Sequence, residues 1–208
     1  MIKKCKACED EYLIDFDYSK NITVKNKLDY TPKVYTINFW HDFDDPRNYI
    51  PYFKVLEEAR EEDVIIFYFN SPGGSVHTLN LFINALRRCK SKTVIARVNY
   101  AASAAALLAL FCDNIEFNTN STLMLHTYSS LMYGKGQEIE SEMIHNKHEY
   151  EKLISFICSK ILSEKEIEEL FNGKDFYFNG EEAIKRLKQY AGKKLKEQKE
   201  INKKKKSK

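Results

Sequence analysis

The feature that most constrains this chain is the run Val64-Ile65-Ile66-Phe67-Tyr68-Phe69, which breaks at Asn70-Ser71-Pro72-Gly73-Gly74 and is followed by a helical pattern. Six apolar residues without alternation suit a strand covered on both faces, the habit of parallel sheets in α/β proteins. Behind the break, Val76, Leu79, Ile83 and Leu86 recur at three- and four-residue steps, so a helix returns over the sheet. The flanking segments repeat the plan. Residues 34–40 are β-branched and aromatic and suit a strand, and Asp44-Asp45-Pro46 then starts a helix carrying Tyr49, Tyr52, Phe53, Leu56 and Ala59 on one face. A third strand is expected at 93–98, a small-residue segment at 101–110, and two short strands at 115–117 and 122–125. A long helix covers 139–162, Ser163 and Glu166 form a capping box for a short helix ending near Phe171, and the last helix, 181–190, closes at Gly192. Residues 1–32 show no sustained period and read as irregular or weakly extended. The strand–helix alternation implies right-handed crossovers and a mainly parallel sheet covered by helices, an α/β domain.

Composition sets the outer bounds. With 208 residues, 43% of them hydrophobic, the chain can build one sizeable core without a disulfide or metal staple. Its formal net charge is +3, yet residues 193–208 alone hold nine Lys against two Glu. The body is therefore slightly acidic, which disfavours specific nucleic-acid binding, and the basic run reads as a disordered solubilising tail. The divisions expected are 1–33 as a divergent N-terminal segment, 34–192 as the folded domain and 193–208 as the tail. No apolar run approaches the ~20 residues of a membrane span. Met-Ile-Lys-Lys-Cys-Lys has no apolar stretch behind it, so export is not expected and the five Cys read as reduced thiols in a cytoplasmic protein.

Three places carry chemistry. The paired glycines of Ser71-Pro72-Gly73-Gly74-Ser75, between a buried strand and a helix, let the backbone turn sharply and point N–H groups at an anion or a developing oxyanion. The same five residues also suit a plain tight turn. They are not a phosphate-binding G-x-x-x-x-G-K-[ST] loop, which occurs nowhere in the chain. The second place is Ser103 in Asn99-Tyr100-Ala101-Ala102-Ser103-Ala104-Ala105-Ala106, sterically open among alanines, although such a stretch is also an ordinary packing face. The third is His126, closing Leu123-Met124-Leu125-His126. A nucleophile, an imidazole base, a carboxylate and backbone oxyanion donors together are what acyl transfer by serine needs.

Ser71-Pro72-Gly73-Gly74-Ser75-Val76, Ala101-Ala102-Ser103, Leu125-His126, Gly136-Gln137 and Asp175 followed by Glu182-Ala183 resemble, in order and register, the ClpP family of serine peptidases. The similarity runs over about three-quarters of the chain. It implies Ser103 as nucleophile, His126 as general base and Asp175 as third triad member, with the backbone N–H groups of Gly74 and Ala104 as oxyanion hole. Gly73, Ser75 and Tyr128 fall where substrate would lie. The resemblance further implies a crotonase-like α/β subunit with a long handle helix, assembled as two stacked heptameric rings. It also implies a separate ATP-driven unfoldase of the AAA+ Clp type that feeds unfolded proteins to the chamber, and no metal or cofactor.

The chain departs from the family at Thr127-Tyr128, where Gln-Pro is common, and at Asn99-Tyr100, ahead of the alanines. It reads as a divergent bacterial or phage member. Two other readings compete: a catalytically silent ring subunit, and another crotonase-fold acyl chemistry such as thioester hydration. Cys5-x-x-Cys8 lacks a second ligand pair for zinc, and His145 and His148 sit among glutamates that suit a solvated face.

Overall fold

The computed structural model describes residues 11–12, 30–127 and 134–206. The chain divides into two compact units, the first ending at Glu116 and the second beginning at Phe117.

In the first unit, β1 (Glu11–Tyr12), β2 (Val34–Phe39), β3 (Val64–Ser71) and β4 (Thr93–Ala102) lie side by side in that order, every pair parallel. The uninterrupted apolar run predicted the central strand, and β3 is indeed flanked on both edges. A 3-10 turn (Pro46–Tyr49) leads into α1 (Ile50–Glu58), with Asp45 capping the turn by accepting from Arg47 N. Both α2 (Val76–Arg88) and α3 (Ser103–Phe111) follow their strands directly. α3 packs on β4 and β3, α2 on α3, and α1 on α2. Phe82 of α2 is the hub of the core. Its ring meets Phe39 edge-on at 5.1 Å between centroids, and Phe43, Tyr49, Tyr52 and Phe53 surround it. Aromatic contacts of this kind add to the burial of large apolar area and fix the rings in one arrangement.

The second unit contains β5 (Asn114–Leu125, begun in the first unit), α4 (Gly136–Cys158), α5 (Glu164–Phe171), β6 (Phe176–Asn179) and α6 (Gly180–Lys206). β5 and β6 are antiparallel. The capping box expected at Ser163 is present: Ser163 Oγ accepts from Glu166 N, and Glu166 accepts from Ser163 N at 2.8 Å. Arg186 ties the helices together. It donates to Glu166 at 2.9 Å, to Glu182 at 2.8 Å and to the Ile161 carbonyl at 3.1 Å, with its guanidinium over the Phe178 ring.

Several boundaries differ from the sequence reading. β4 runs on to Ala102, and β5 is one continuous strand where two were expected. Its polar centre, Asn118-Thr119-Asn120, is exposed and imitates a turn in the sequence. β6 was not expected at all, because four residues give too little pattern. α4 begins at Gly136 and ends at Cys158. The expectation of a helix closed at Gly192 and a disordered tail is corrected over 193–206, which continue α6. Gly192 projects where a Cβ would meet nothing, so it costs only the ~1 kcal/mol of an exposed helical glycine, and lysine and glutamate are good helix formers.

Candidate active site

The glycine turn is held by backbone bonds from an unexpected partner, the segment after β2. Phe43 N donates to Gly73 O at 2.5 Å and Ser75 N donates to Phe43 O at 2.6 Å, a parallel bridge across the loop. Ser71, fully buried, donates its hydroxyl to His41 O at 2.6 Å and accepts from Gly73 N at 3.2 Å. Thr78 Oγ1 donates to Asp44 O at 2.6 Å. Residues 41–44 thus clamp the loop from one side. Gly73 (φ +100°) and Gly74 (φ +124°) occupy backbone conformations that side chains disfavour. Since the bridge uses Gly73 O and Ser75 N, the alternation of the backbone turns the N–H of Gly74 to the opposite edge, the side where β4 lies.

That side holds Ser103. β4 passes into α3 without a loop: Ala102 is extended, and Ser103 takes φ +54°, alone among the described non-glycine residues in being left-handed. Such a conformation costs about 1–3 kcal/mol and persists only where its surroundings impose it. The surroundings are visible. A Cβ on Gly73 would come within 2.6 Å of Ala102 O and 2.8 Å of both Ala104 N and the Ser103 Cβ. The loop therefore lies directly against the strand–helix junction. Ala101, Ala102 and every residue of 104–110 are buried, while Ser103 is partly exposed. Small alanines are needed because the glycine loop leaves no space. No side chain caps the start of α3, so the N–H groups of its first turn, that of Ala104 among them, have no side-chain partner there.

In the second unit the β5–β6 ladder pairs Thr122 with Asn179 and ends with Leu125 opposite Phe176. The ladder stops there: His126 follows Leu125 and Asp175 precedes Phe176, so each lies one residue past the last pair. Leu123, Leu125, Phe176 and Phe178 fill the buried face of this ribbon, and Thr122, Met124, Tyr177 and Asn179 the other. Asp175 is exposed and His126 half-buried. Forty-nine positions of sequence separate them, and the β5–β6 ladder brings the strand ends next to them together.

The structure thus groups Gly73, Gly74, Ser103 and Ala104 in one unit and His126 with Asp175 in the other. Ser75 is occupied structurally, its Oγ accepting from Thr78 N as the cap of α2. Tyr128 and the Cys5/Cys8 pair lie outside the described residues. His77, His145 and His148 are exposed on helices, and among the described residues no group of three or more His, Cys, Asp or Glu could hold a metal. Cys89 and Cys158 are poor nucleophiles: burial raises both thiols, that of Cys158 to about 12. No helix among the described residues is long and apolar enough to cross a membrane. The reading of the sequence missed the His41–Asp44 clamp, whose bonds are made by backbone carbonyls that any residue could supply.

The model of a family described as Clp protease matches residues 42–186, which takes in the clamp from Asp42 on, the glycine loop, Ser103, His126 and Asp175. The chain is also 27% identical over 132 residues to the ATP-dependent Clp protease proteolytic subunit 2 of Pseudomonas aeruginosa. That match covers 59% of this chain and 62% of the relative, so the chain spans less than two-thirds of the relative's length. Family and fold agree, an α/β subunit of the ClpP type with a mainly parallel sheet covered by helices.

Proposed function

We propose a function that starts from one fact: the chain belongs to the Clp protease family. It is a serine endopeptidase, with Ser103 as nucleophile, His126 as general base and Asp175 as the carboxylate that orients the imidazole. The observation that carries this reading is the left-handed Ser103 backbone at a strand–helix junction, pressed against Gly73. A strained turn of that kind holds a serine hydroxyl clear of its own backbone, at the mouth of a helix whose first N–H groups are uncapped.

In the reaction Ser103 Oγ attacks the peptide carbonyl carbon and His126 accepts the hydroxyl proton. The carbonyl oxygen becomes an oxyanion, received by the N–H groups of Gly74 and Ala104. As the C–N bond breaks, His126 gives the proton to the leaving amine, and water then hydrolyses the acyl-enzyme by the same route. Asp175 holds the imidazole tautomer and stabilises its cation. Preorganisation is the source of the rate. The clamp on the glycine loop fixes the oxyanion donors before substrate arrives, so no reorganisation is needed at the moment of reaction.

The relative's name describes the proteolytic subunit of an ATP-dependent protease. On that basis the substrates are unfolded proteins, delivered by a separate Clp-type AAA+ unfoldase to a chamber formed by stacked rings of this subunit in the cytoplasm. α4 suits the role of ring contact. Only its last turn is buried, at Ile154, Ile157 and Cys158, while Met143, Ile144 and Phe156 are exposed.

Ser103→Ala tests the assignment. It removes one hydroxyl at a site already lined by alanines, so the fold should be untouched. Peptide hydrolysis should fall by at least ~10³-fold, and labelling by a fluorophosphonate should vanish. Turnover within tenfold of wild type would exclude Ser103 as the nucleophile.

A further inference from the structure

Beyond the triad and its oxyanion donors, the first unit carries a row of exposed side chains that the mechanism does not use. The β2–β3 register ends with Phe39 opposite Phe69, so Trp40 and Asn70 are the next residues along their two segments. The β3–β4 register pairs Asn70 with Tyr100, because it shifts between Phe69 and Asn70 and skips Asn99. Without that irregularity Asn99 would stand in the row and Tyr100 would point to the opposite face. Phe39, Phe69 and Val98 form the buried row just before. Trp40, Asn70 and Tyr100 form the next, on the open face. Trp40 is 63% exposed and Tyr100 39%, high values for large rings on a sheet, and Asn70 is exposed between them. Among the described residues the Asn70 amide enters no hydrogen bond and the Trp40 ring no aromatic contact.

The position of this row is informative. It lies at the carboxyl ends of three parallel strands, the edge at which open α/β sheets bind ligands. Asn70 precedes the clamped glycine loop by one residue, and Tyr100 precedes Ser103 by three. Further from that edge the exposure fades. The preceding row on the same face, Asn38, Tyr68 and Arg97, is tied up: Arg97 donates to Tyr68 OH at 2.6 Å and to Glu116 at 2.7 Å. Two of the exposed large side chains of the first unit thus sit at the strand ends that lead toward the glycine loop and α3. Two side chains fall far short of the ~800 Å² per partner that a stable protein interface buries, which argues against a second copy as the occupant.

We propose that Trp40, Asn70 and Tyr100 form a shelf that binds the substrate polypeptide beside the scissile bond and selects for bulky apolar side chains. This deepens the peptidase reading above and rests on it. Adjacent strands are about 4.8 Å apart, so the two rings flank Asn70 at a separation of about 10 Å, the span of three residues of extended peptide. Each ring offers a flat apolar surface to a Phe, Leu or Met side chain, and burying such pairs displaces water from both partners. The Asn70 amide, with one acceptor and two donors, can pair with the peptide backbone between them. The shelf therefore reads an aromatic or large aliphatic residue without reading one sequence, which suits an enzyme for unfolded chains whose core residues have become accessible.

Trp40 is the one tryptophan of the chain, so its fluorescence reports on the shelf alone. The probe is a Gly/Ser decapeptide carrying two Phe three residues apart, with the same peptide bearing Ala as control, titrated into the full-length Ser103→Ala variant. Saturable blue-shift of Trp40 emission by the Phe peptide only is the expected result. Adding Tyr100→Ala should weaken that binding about tenfold, and in the active protein should raise KM for Phe-containing peptides by a similar factor with little change for the Ala peptide. Fluorophosphonate labelling of Ser103 in the Tyr100→Ala protein reports whether the nucleophile is still assembled: weakened peptide binding with labelling retained supports the shelf, whereas loss of both assigns Tyr100 to the Ser103 junction and overturns it. An emission maximum that ignores the Phe peptide overturns the proposal, as does one that moves with protein concentration instead, since a second copy would then cover the row. The peptidase reading fails separately, by absence of labelling and hydrolysis in the wild-type protein.

Discussion

The two halves of the proposed site are built by different means. Around Ser103 the geometry is enforced by backbone: two glycines in left-handed conformations, a parallel bridge to Phe43, a buried serine hydroxyl on the His41 carbonyl and a helix that starts with no loop before it. Around His126 and Asp175 it depends on a ladder of four residue pairs, with both residues one step past its end. The first arrangement leaves little freedom, because any shift of the glycine loop collides with Ala102 and Ala104. The second can loosen by fraying of a single pair. Oxyanion stabilisation demands donors placed to a few tenths of an ångström, whereas a general base tolerates more and can be brought into line when substrate or a neighbouring subunit arrives.

The sharpest way to break this contrast is Gly73→Ala. The added methyl would meet the Ala102 carbonyl, the Ala104 N–H and the Ser103 Cβ at 2.6–2.8 Å, all backbone or near-backbone atoms, at a φ of +100° that alanine disfavours. The loop and the start of α3 must separate, and misplacing catalytic groups by about 1 Å costs at least ~100-fold in kcat/KM. Circular dichroism should show the fold retained while activity is lost. Activity within threefold of wild type would mean that the loop and the Ser103 junction are not the rigid half.

The two units should also fail at opposite ends of the pH scale. In the first unit, burial raises the hydroxyls of Tyr35 and Tyr49 from 10.0 to about 12. The unfolded chain ionises them near 10 while the folded chain resists, so the stability they contribute is present below about pH 10 and is lost as pH rises toward 12, on the order of 1–3 kcal/mol for each. In the second unit, burial alone would raise the Glu166 carboxyl. Hydrogen bonds from Ser163 N and the Arg186 guanidinium outweigh it and hold the group below its usual value. That contribution is present above the ordinary glutamate range near pH 4 and is lost as pH falls through the lower folded value. Thermal melts between pH 3 and 11 check both arms. Arg186→Met should flatten the acid arm and Tyr35→Phe with Tyr49→Phe the alkaline one. Indifference of the acid arm to Arg186→Met would remove Glu166 as its source.

What the sequence disclosed, and what it withheld, follows the same division. The parallel core was legible because β3 opens with a continuous apolar run, its neighbours are rich in β-branched and apolar residues and the helices between them step by three and four, and the glycine pair and Ser103 announced themselves through residue types that few other backbones require. The capping box at Ser163 was legible for the same reason. The positive φ of Ser103 was not, since serine in an alanine stretch looks like any packing helix. Nor was the β5–β6 ladder that brings together the strand ends next to His126 and Asp175, since it joins a long strand interrupted by asparagines to a four-residue strand too short to show alternation. The Trp40 row was hidden by the irregularity at Asn99, which reverses the face of Tyr100.

The smallest effect is expected at the far end of α6. Residues past Gly192 make a helix whose Leu195 and Ile201 are 62% and 53% exposed, stabilised by contacts along its own length: Lys194 pairs with Glu197 at 3.0 Å and lies over the Tyr190 ring. Exposed pairs of that spacing contribute only ~0.3–0.5 kcal/mol, so the segment holds itself in shape weakly. The residues that anchor α6 to its unit, Glu182 and Arg186, come earlier. Truncation after Gly192 should therefore lower the helical circular dichroism signal while leaving the melting temperature within about 2 °C and small-peptide hydrolysis unchanged, in line with the ±0.5 kcal/mol of ordinary surface changes. Removal of seven net positive charges should also reduce any salt-sensitive adsorption to polyanions. If truncation instead abolishes hydrolysis, the last turns of α6 dock on something that activity needs, and the segment is more than a self-supporting surface helix.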